Sequence, residues 1–265
     1  MRTDTVARSE WRLFGDVVFA LLLRELKTRY GNYRMGYAWA LLEPLITISL
    51  FCYVFGMKQQ HSLFGNVEPA VFIVAGFLPF LLFRNCIKRL ESAVSSNQNL
   101  FCFRQIQPFD ALFTRFMLEC LISILTLIVL IVGMLWLRFN ALPTYPLLLL
   151  AGISLLALMG FGIGMLFCII GTLFNEADKF LPILMRPLVW ISCVYHPLSM
   201  VPYDYRHFFL WNPVVHAMEL IRKSWIANYP DSGASWTYLA SCALICLALS
   251  LSAYRLYHNR LVTTS

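Results

Sequence analysis

Six ionisable side chains, Glu43, Glu119, Arg186, His196, His216 and Glu219, stand inside or at the edge of long apolar stretches. A charge at membrane depth costs on the order of 3 kcal/mol unless it is paired, hydrated or used, so such residues mark either a satisfied interior contact or a path for a polar ligand. Six aromatic residues lie close to them in sequence: Tyr37, Trp39, Trp190, Tyr195, Tyr203 and Trp211. These rings have two readings. They form belts at the membrane surface, or they stack on sugar rings, whose C–H faces are apolar while their hydroxyls seek hydrogen bonds.

Other chemistries find little support. No G-x-x-x-x-G-K-[ST] occurs, so the chain has no phosphate-cradling loop of its own for ATP. G-x-S-x-G and H-E-x-x-H are also absent. The close acidic pair Glu176-x-Asp178 could hold a metal in a membrane glycosyltransferase, but acids before an apolar helix also favour its positive N-terminal end. Eight cysteines are scattered through apolar segments with no C-x-x-C pair, and Cys242 and Cys246 share a helical face where packing accounts for them. No metal site is expected.

The elements that must carry these residues are helices in a bilayer. Of 265 residues, 59% are hydrophobic, 15% aromatic and only 13% charged, and the mean hydropathy is +0.67. That composition indicates a polytopic membrane protein built as one all-α bundle. The net charge of +7 does not point to nucleic acid, because the basic residues flank apolar spans rather than forming a separate soluble domain. The first dozen residues are polar, so the later spans rather than a signal peptide are expected to direct insertion.

Over residues 9–30, Trp11, Phe14, Val18, Leu21, Leu22 and Leu26 recur on one helical face, with Arg12, Asp16, Arg24, Lys27 and Thr28 largely opposite. This pattern predicts an amphipathic helix lying in the headgroup plane. Six transmembrane helices follow, at 37–57, 70–88, 112–137, 147–174, 180–200 and 236–257. Pro79 interrupts the second, and Pro182, Pro187 and Pro197 bend the fifth or end it. In the fourth, Gly160 and Gly164 either admit a neighbouring helix or permit a bend. Between the second and third spans, 91–106 is expected to form a helix on the inner face. Residues 201–232 contain two amphipathic pieces broken at Asn212-Pro213 and too short to cross, which predicts a pair of re-entrant half-helices. With both termini inside, sixteen of the 21 Lys and Arg residues lie on the inner side.

Four stretches together carry a family resemblance: RELKTRYGNYRMGYAWALLEPL, SSNQNLFCFRQIQPFDALFTRFMLE, KFLPILMRPLVWISCVYHPLSMVP and LWNPVVHAMELIR. In order along nearly the whole chain, they resemble the ABC-2 type permeases, and specifically the KpsM-type permeases of group 2 capsular-polysaccharide exporters. The resemblance implies a homodimer in a Gram-negative inner membrane. Its partners would be two cytoplasmic KpsT-type ATPase subunits holding ATP and Mg, a periplasmic KpsE-type co-polymerase and an outer-membrane export channel. The cargo would be a lipid-linked polysaccharide with an acidic linker, and the chain itself would be a transport subunit without cofactor or catalytic residue.

On these positions the resemblance places a substrate path at Arg24, Arg29, Arg34, Tyr37, Trp39, Glu43, Trp190, Tyr195 and His196. Coupling to the ATPase would involve Glu91, Asn97, Asn99 and Arg104. The periplasmic re-entrant region would use Tyr203, Trp211, Asn212, Pro213, His216, Glu219 and Arg222. An O-antigen or teichoic-acid exporter would use the same machine, a small-molecule ABC-2 exporter would confer drug resistance instead, and a membrane-embedded enzyme lacks an acid/base or metal constellation.

Overall fold

The computed structural model describes residues 10–31, 36–58, 68–101, 106–174 and 176–263. Arg34 and Arg104, expected in the substrate path and the coupling segment, lie outside them. The described residues form nine α-helices and no strand: α1 (Glu10–Tyr30), α2 (Trp39–Lys58), α3 (Pro69–Glu91), α4 (Pro108–Trp136), α5 (Pro146–Leu173), α6 (Ala177–Ile191), α7 (Tyr203–Phe209), α8 (Pro213–Trp225) and α9 (Trp236–Thr263). Four of them open on proline, whose fixed φ suits the first helical turn and whose missing N–H would be unpaired there anyway. Among the described residues α2, α3, α4, α5 and α9 are long and apolar enough to cross a membrane.

Three expected elements differ from the observed ones. Pro79 does not interrupt α3, which runs unbroken for 23 residues with the proline buried inside it. The fifth expected span, 180–200, contains a helix of only 15 residues, about 22 Å against a hydrocarbon core of about 30 Å. After Ile191 the chain turns, with Cys193 at φ +53°, and ends in a 3-10 turn at Leu198–Met200. In the expected 91–106 helix, α3 ends at Glu91 and a 3-10 turn covers Ser95–Leu100, where the Ser95 and Ser96 hydroxyls bond back to the Ser92 carbonyl. Such local side-chain bonds compete with a continuing α-helix.

The buried centre is α3, which packs against α2, α4, α5 and α8. Its approach to α5 depends on glycine. A Cβ at Gly164 would stand 2.9 Å from Leu90 Cβ and 3.1 Å from Ile87 Cα, and one at Gly160 would stand 3.2 Å from the Phe83 ring. On the other face of α5, a Cβ at Gly162 would meet the Cys246 backbone of α9 at 2.9 Å. The Gly160/Gly164 pair therefore serves close helix approach, and α5 is helical throughout.

A buried charge network fixes α1 to this core. Arg29 Nη1 donates to Glu119 Oε1 of α4 at 2.6 Å, and Arg89 of α3 approaches the same carboxylate at 3.8 Å. Glu25 pairs with Arg115 at 3.1 Å and with Arg29 at 3.5 Å. Arg115 also donates to the Arg89 carbonyl and the Ser92 hydroxyl. Burial works against the Arg29 charge, but the Glu119 contact outweighs it and the guanidinium is held more firmly protonated than a free one.

Two measurements test this packing. Gly164→Leu is expected to lower stability by about 1–3 kcal/mol through overpacking, whereas Gly133→Ala, inside α4 with nothing within 4 Å of its Cβ, leaves the thermal midpoint of the purified protein unlowered, since alanine favours a helix over glycine. Removing Glu119 or Arg29 singly strands a buried charge and is expected to cost about 3–5 kcal/mol. The Arg29→Ala/Glu119→Ala double variant should cost less than the sum of the singles by at least about 1 kcal/mol; strict additivity in thermal unfolding would show that the pair contributes no coupling.

Candidate functional site

A cavity of about 830 Å³ opens between α2, α3, α4 and α6. Its chemistry changes along its length. At the end nearest α1 the walls carry Glu91 of α3 and Asp178 in the first turn of α6, close enough to interact electrostatically. Arg29 and Glu119 line the cavity beside them, already bound to each other. Further in come Arg84, Asn85 and Lys88 of α3, Arg186 of α6, and the hydroxyls of Thr47, Ser123 and Thr126.

The far end is aromatic. Phe51 of α2 stacks on Tyr195 with ring centroids 5.3 Å apart, and Trp190 meets the same tyrosine at 5.3 Å. Phe77 of α3 supports both Phe51 and Tyr195. All three lining rings expose edge or face to the cavity, and Trp190 remains 59% exposed. Rings presented beside hydroxyls and charged groups suit a sugar, which needs an apolar surface for its C–H face and polar partners at its rim.

The position of Tyr195 depends on a second buried site. Arg222 of α8 is fully buried and donates to the carbonyls of Cys193 at 2.8 Å, Val194 at 2.5 Å and His196 at 3.3 Å. It also approaches Glu219 at 3.4 Å and lies 4.0 Å over the Phe72 ring. Its Nε has no hydrogen-bond partner, so the ring contact and the carboxylate carry the rest of its charge. Glu219 accepts from the Leu198 N–H and the Tyr229 hydroxyl, each at 3.2 Å. Burial pushes the Tyr229 hydroxyl up, which keeps it a donor. His216 accepts from the Ser235 N–H through Nδ1, so its Nε2 carries the proton and donates to the Leu210 carbonyl at 2.8 Å.

The expected site residues divide accordingly. Arg29, Glu43, Trp190 and Tyr195 line the cavity, as does Glu91. Arg24 does not; its Nη1 donates to Asn97 Oδ1 at 2.8 Å, which joins α1 to the 3-10 turn expected to couple to a partner. Asn97 is buried and bonds back to the Ala93 carbonyl, while Asn99 lies in the same turn. Tyr37, in the 3-10 turn Gly36–Ala38 that precedes α2, and Trp39, the first residue of α2, are exposed and do not line the cavity. His196 lines a separate depression of about 440 Å³ with Met200 and Tyr205. Asn212 caps α8 by accepting from the Val214 N–H, and Pro213 opens that helix. Tyr203 and Trp211 are exposed. His216, Glu219 and Arg222 form the buried cluster just described.

Arg84, Asn85 and Lys88 were not singled out from the sequence. Arg84 and Lys88 read there as part of the positive charge flanking a span, although their four-residue spacing on one face inside an otherwise apolar segment was a usable signal. Around the Glu176-x-Asp178 pair, as elsewhere among the described residues, no group of three His, Cys, Asp or Glu side chains is placed to hold an ion. Asp178 stands in the first turn of α6, and Glu176 precedes that helix without a side-chain capping bond.

With this geometry in place, comparison with known proteins identifies the family. The family described as ABC-2 type transporter matches residues 16–226. The polysialic acid transport protein KpsM of Escherichia coli is 37% identical over 265 residues, covering 98% of this chain and all of that one. The capsule polysaccharide export inner-membrane proteins BexB of Haemophilus influenzae and CtrC of Neisseria meningitidis are 26% and 23% identical. The alignments cover 93% and 89% of each chain respectively. A match over most of the chain, together with a relative this similar along its full length, places the protein in the ABC-2 type transporter family.

Proposed function

We propose that this chain is the membrane-spanning permease subunit of an ATP-driven exporter that moves a lipid-linked capsular polysaccharide across a bacterial inner membrane. The observation that carries this reading is the cavity, which combines an aromatic end with basic and hydroxyl-bearing walls inside a bundle of apolar helices. Full-length similarity to proteins named for polysialic acid transport and capsule polysaccharide export supports the same cargo class.

In this reading α2, α3, α4, α5 and α9 are five spans, and α6 continued by the irregular segment 192–200 is the sixth crossing. Arg222 makes that crossing tenable, because irregular backbone at membrane depth must find its hydrogen bonds within the protein. The charge distribution supports cytoplasmic termini. The α1 helix then lies at the cytoplasmic surface, and α7 and α8 form the periplasmic re-entrant pair. Exposed apolar side chains on α2 and α6, Ile46, Leu50, Ile183 and Leu184 among them, suit a second copy of the chain.

ATP and Mg belong to a separate ATPase pair seated on the 3-10 turn. Force applied there would reach α1 through Arg24–Asn97 and the core through Arg115–Ser92. A KpsE-type co-polymerase and an outer-membrane channel complete the expected route. The glycolipid would enter at the α1 end and travel toward Trp190 and Tyr195.

The test is complementation. In a capsule-producing strain lacking its own permease, this chain expressed with its cognate ATPase is expected to restore surface polysaccharide, and failure to do so at normal membrane levels would overturn the assignment. Trp190→Ala, which removes an exposed ring and its contact with Tyr195 but touches neither buried charge cluster, is expected to reduce surface polysaccharide at least fivefold, equivalent to about 1 kcal/mol, without changing membrane abundance.

A further inference from the structure

The cations in the cavity wall are not evenly distributed, and their levels follow from two contacts. Helices α3 and α6 run antiparallel: Glu91 lies near Asp178 at one end, and a Cβ at Gly76 would stand 2.7 Å from the Val194 carbonyl at the other. Fifteen residues of one strand of contact therefore match sixteen of the other. Arg84 is seven residues from Glu91 and Arg186 is eight from Asp178, placing both about 10–12 Å in from the acidic mouth at about 1.5 Å per residue. Both line the same cavity, and Trp190 follows Arg186 by one helical turn.

Among the carboxylates near them, Glu43 of α2 lines the same cavity without an ion pair to either guanidinium. Glu119 is held by Arg29 and Arg89, and Glu25 by Arg29 and Arg115. Glu91 and Asp178 stand at the mouth. Although Arg84 lies close enough to Tyr195 to interact electrostatically, the side chains of Arg84 and Arg186 form no ion pair or hydrogen bond with any described residue. Lys88, one turn from Arg84 toward the mouth, also has none, and Asn85 adds an amide on the same wall. Two guanidiniums lining one cavity repel each other, and an anion between them is attracted by both.

Resting on the export reading above, we propose that Arg84 and Arg186 form a two-sided clamp for an anionic group, the carboxylate of an acidic glycan or the phosphate of its lipid anchor. The guanidinium fork matches either anion through paired hydrogen bonds. Lys88, one turn from Arg84 toward the mouth, offsets the repulsion that an entering anion meets from Glu91 and Asp178. The sugar ring next to the clamped anion then meets Trp190 and Tyr195. The clamp thus makes the cavity selective for an acidic polymer or a charged anchor over a neutral one.

Binding to the full-length chain in neutral phosphatidylcholine nanodiscs tests this. The probes are a sialic acid oligomer, its methyl ester, and short-chain phosphatidylglycerol. The wild-type protein is expected to bind at least one of the two anionic probes at least tenfold more tightly than the uncharged ester, with affinity falling as salt rises. Preference for the oligomer identifies the glycan carboxylate as the clamped group, and preference for the lipid identifies the anchor phosphate. Arg84→Gln/Arg186→Gln should abolish that preference, and Arg84→Lys/Arg186→Lys should restore part of it, at an unchanged thermal midpoint.

Equal binding of charged and uncharged probes by the wild type, or unchanged binding by the double Gln variant, would overturn the clamp. Either result leaves the export reading to its own complementation test, since restored surface polysaccharide with no charge preference would reject the clamp alone.

Discussion

The guanidinium of Arg222 fixes the geometry on which the cavity depends. Helix α6 is too short to cross a bilayer unaided, and the chain beyond it exposes carbonyls that a hydrocarbon environment cannot satisfy. Arg222 takes up three of them, at Cys193, Val194 and His196, while Glu219 accepts the Leu198 N–H. The arrangement needs room, which Gly76 supplies: any Cβ there would collide with the guanidinium. Tyr195 lies within the segment so held, so the aromatic end of the cavity is set by a side chain on a different helix.

A second buried charge cluster controls the opposite end. Glu25, Arg29, Arg89, Arg115 and Glu119 bind α1 to α3 and α4, and Arg24 extends the connection to Asn97. Buried ion pairs contribute little net stability compared with well-packed apolar residues, but breaking one by halves is costly. They therefore suit an element that must hold one position or move as a unit. Between the two clusters the α3–α5 seam is packed at glycine distance, which makes α3 a rigid wall against which α2 and α6 define the cavity.

Much of the fold was legible in the residues. Long apolar segments with basic flanks located α2, α4, α5 and α9 within a few positions, and Asn212-Pro213 divided α7 from α8 because the asparagine caps and the proline begins a helix. The site was less legible. Of the residues expected in a substrate path, Arg29, Glu43, Trp190 and Tyr195 line the cavity, whereas Arg24 bonds to Asn97 and His196 lines a separate depression. Arg84 and Lys88 were read as flanking charge, because sequence distance from a span end does not say whether a side chain faces solvent or an interior space.

What the sequence determined by itself is what hydrophobicity, proline placement and charge asymmetry can specify locally: an all-helical membrane bundle, its approximate boundaries, and the absence of a nucleotide-binding loop of its own. Only the tertiary structure decided which charges are consumed by one another and which are left facing the cavity. That distinction separates Arg29, paired with Glu119, from Arg84 and Arg186 across the same space. It rests on distances between helices far apart in the chain, and the energy of a charge depends on its nearest partner in space rather than on its neighbours in sequence.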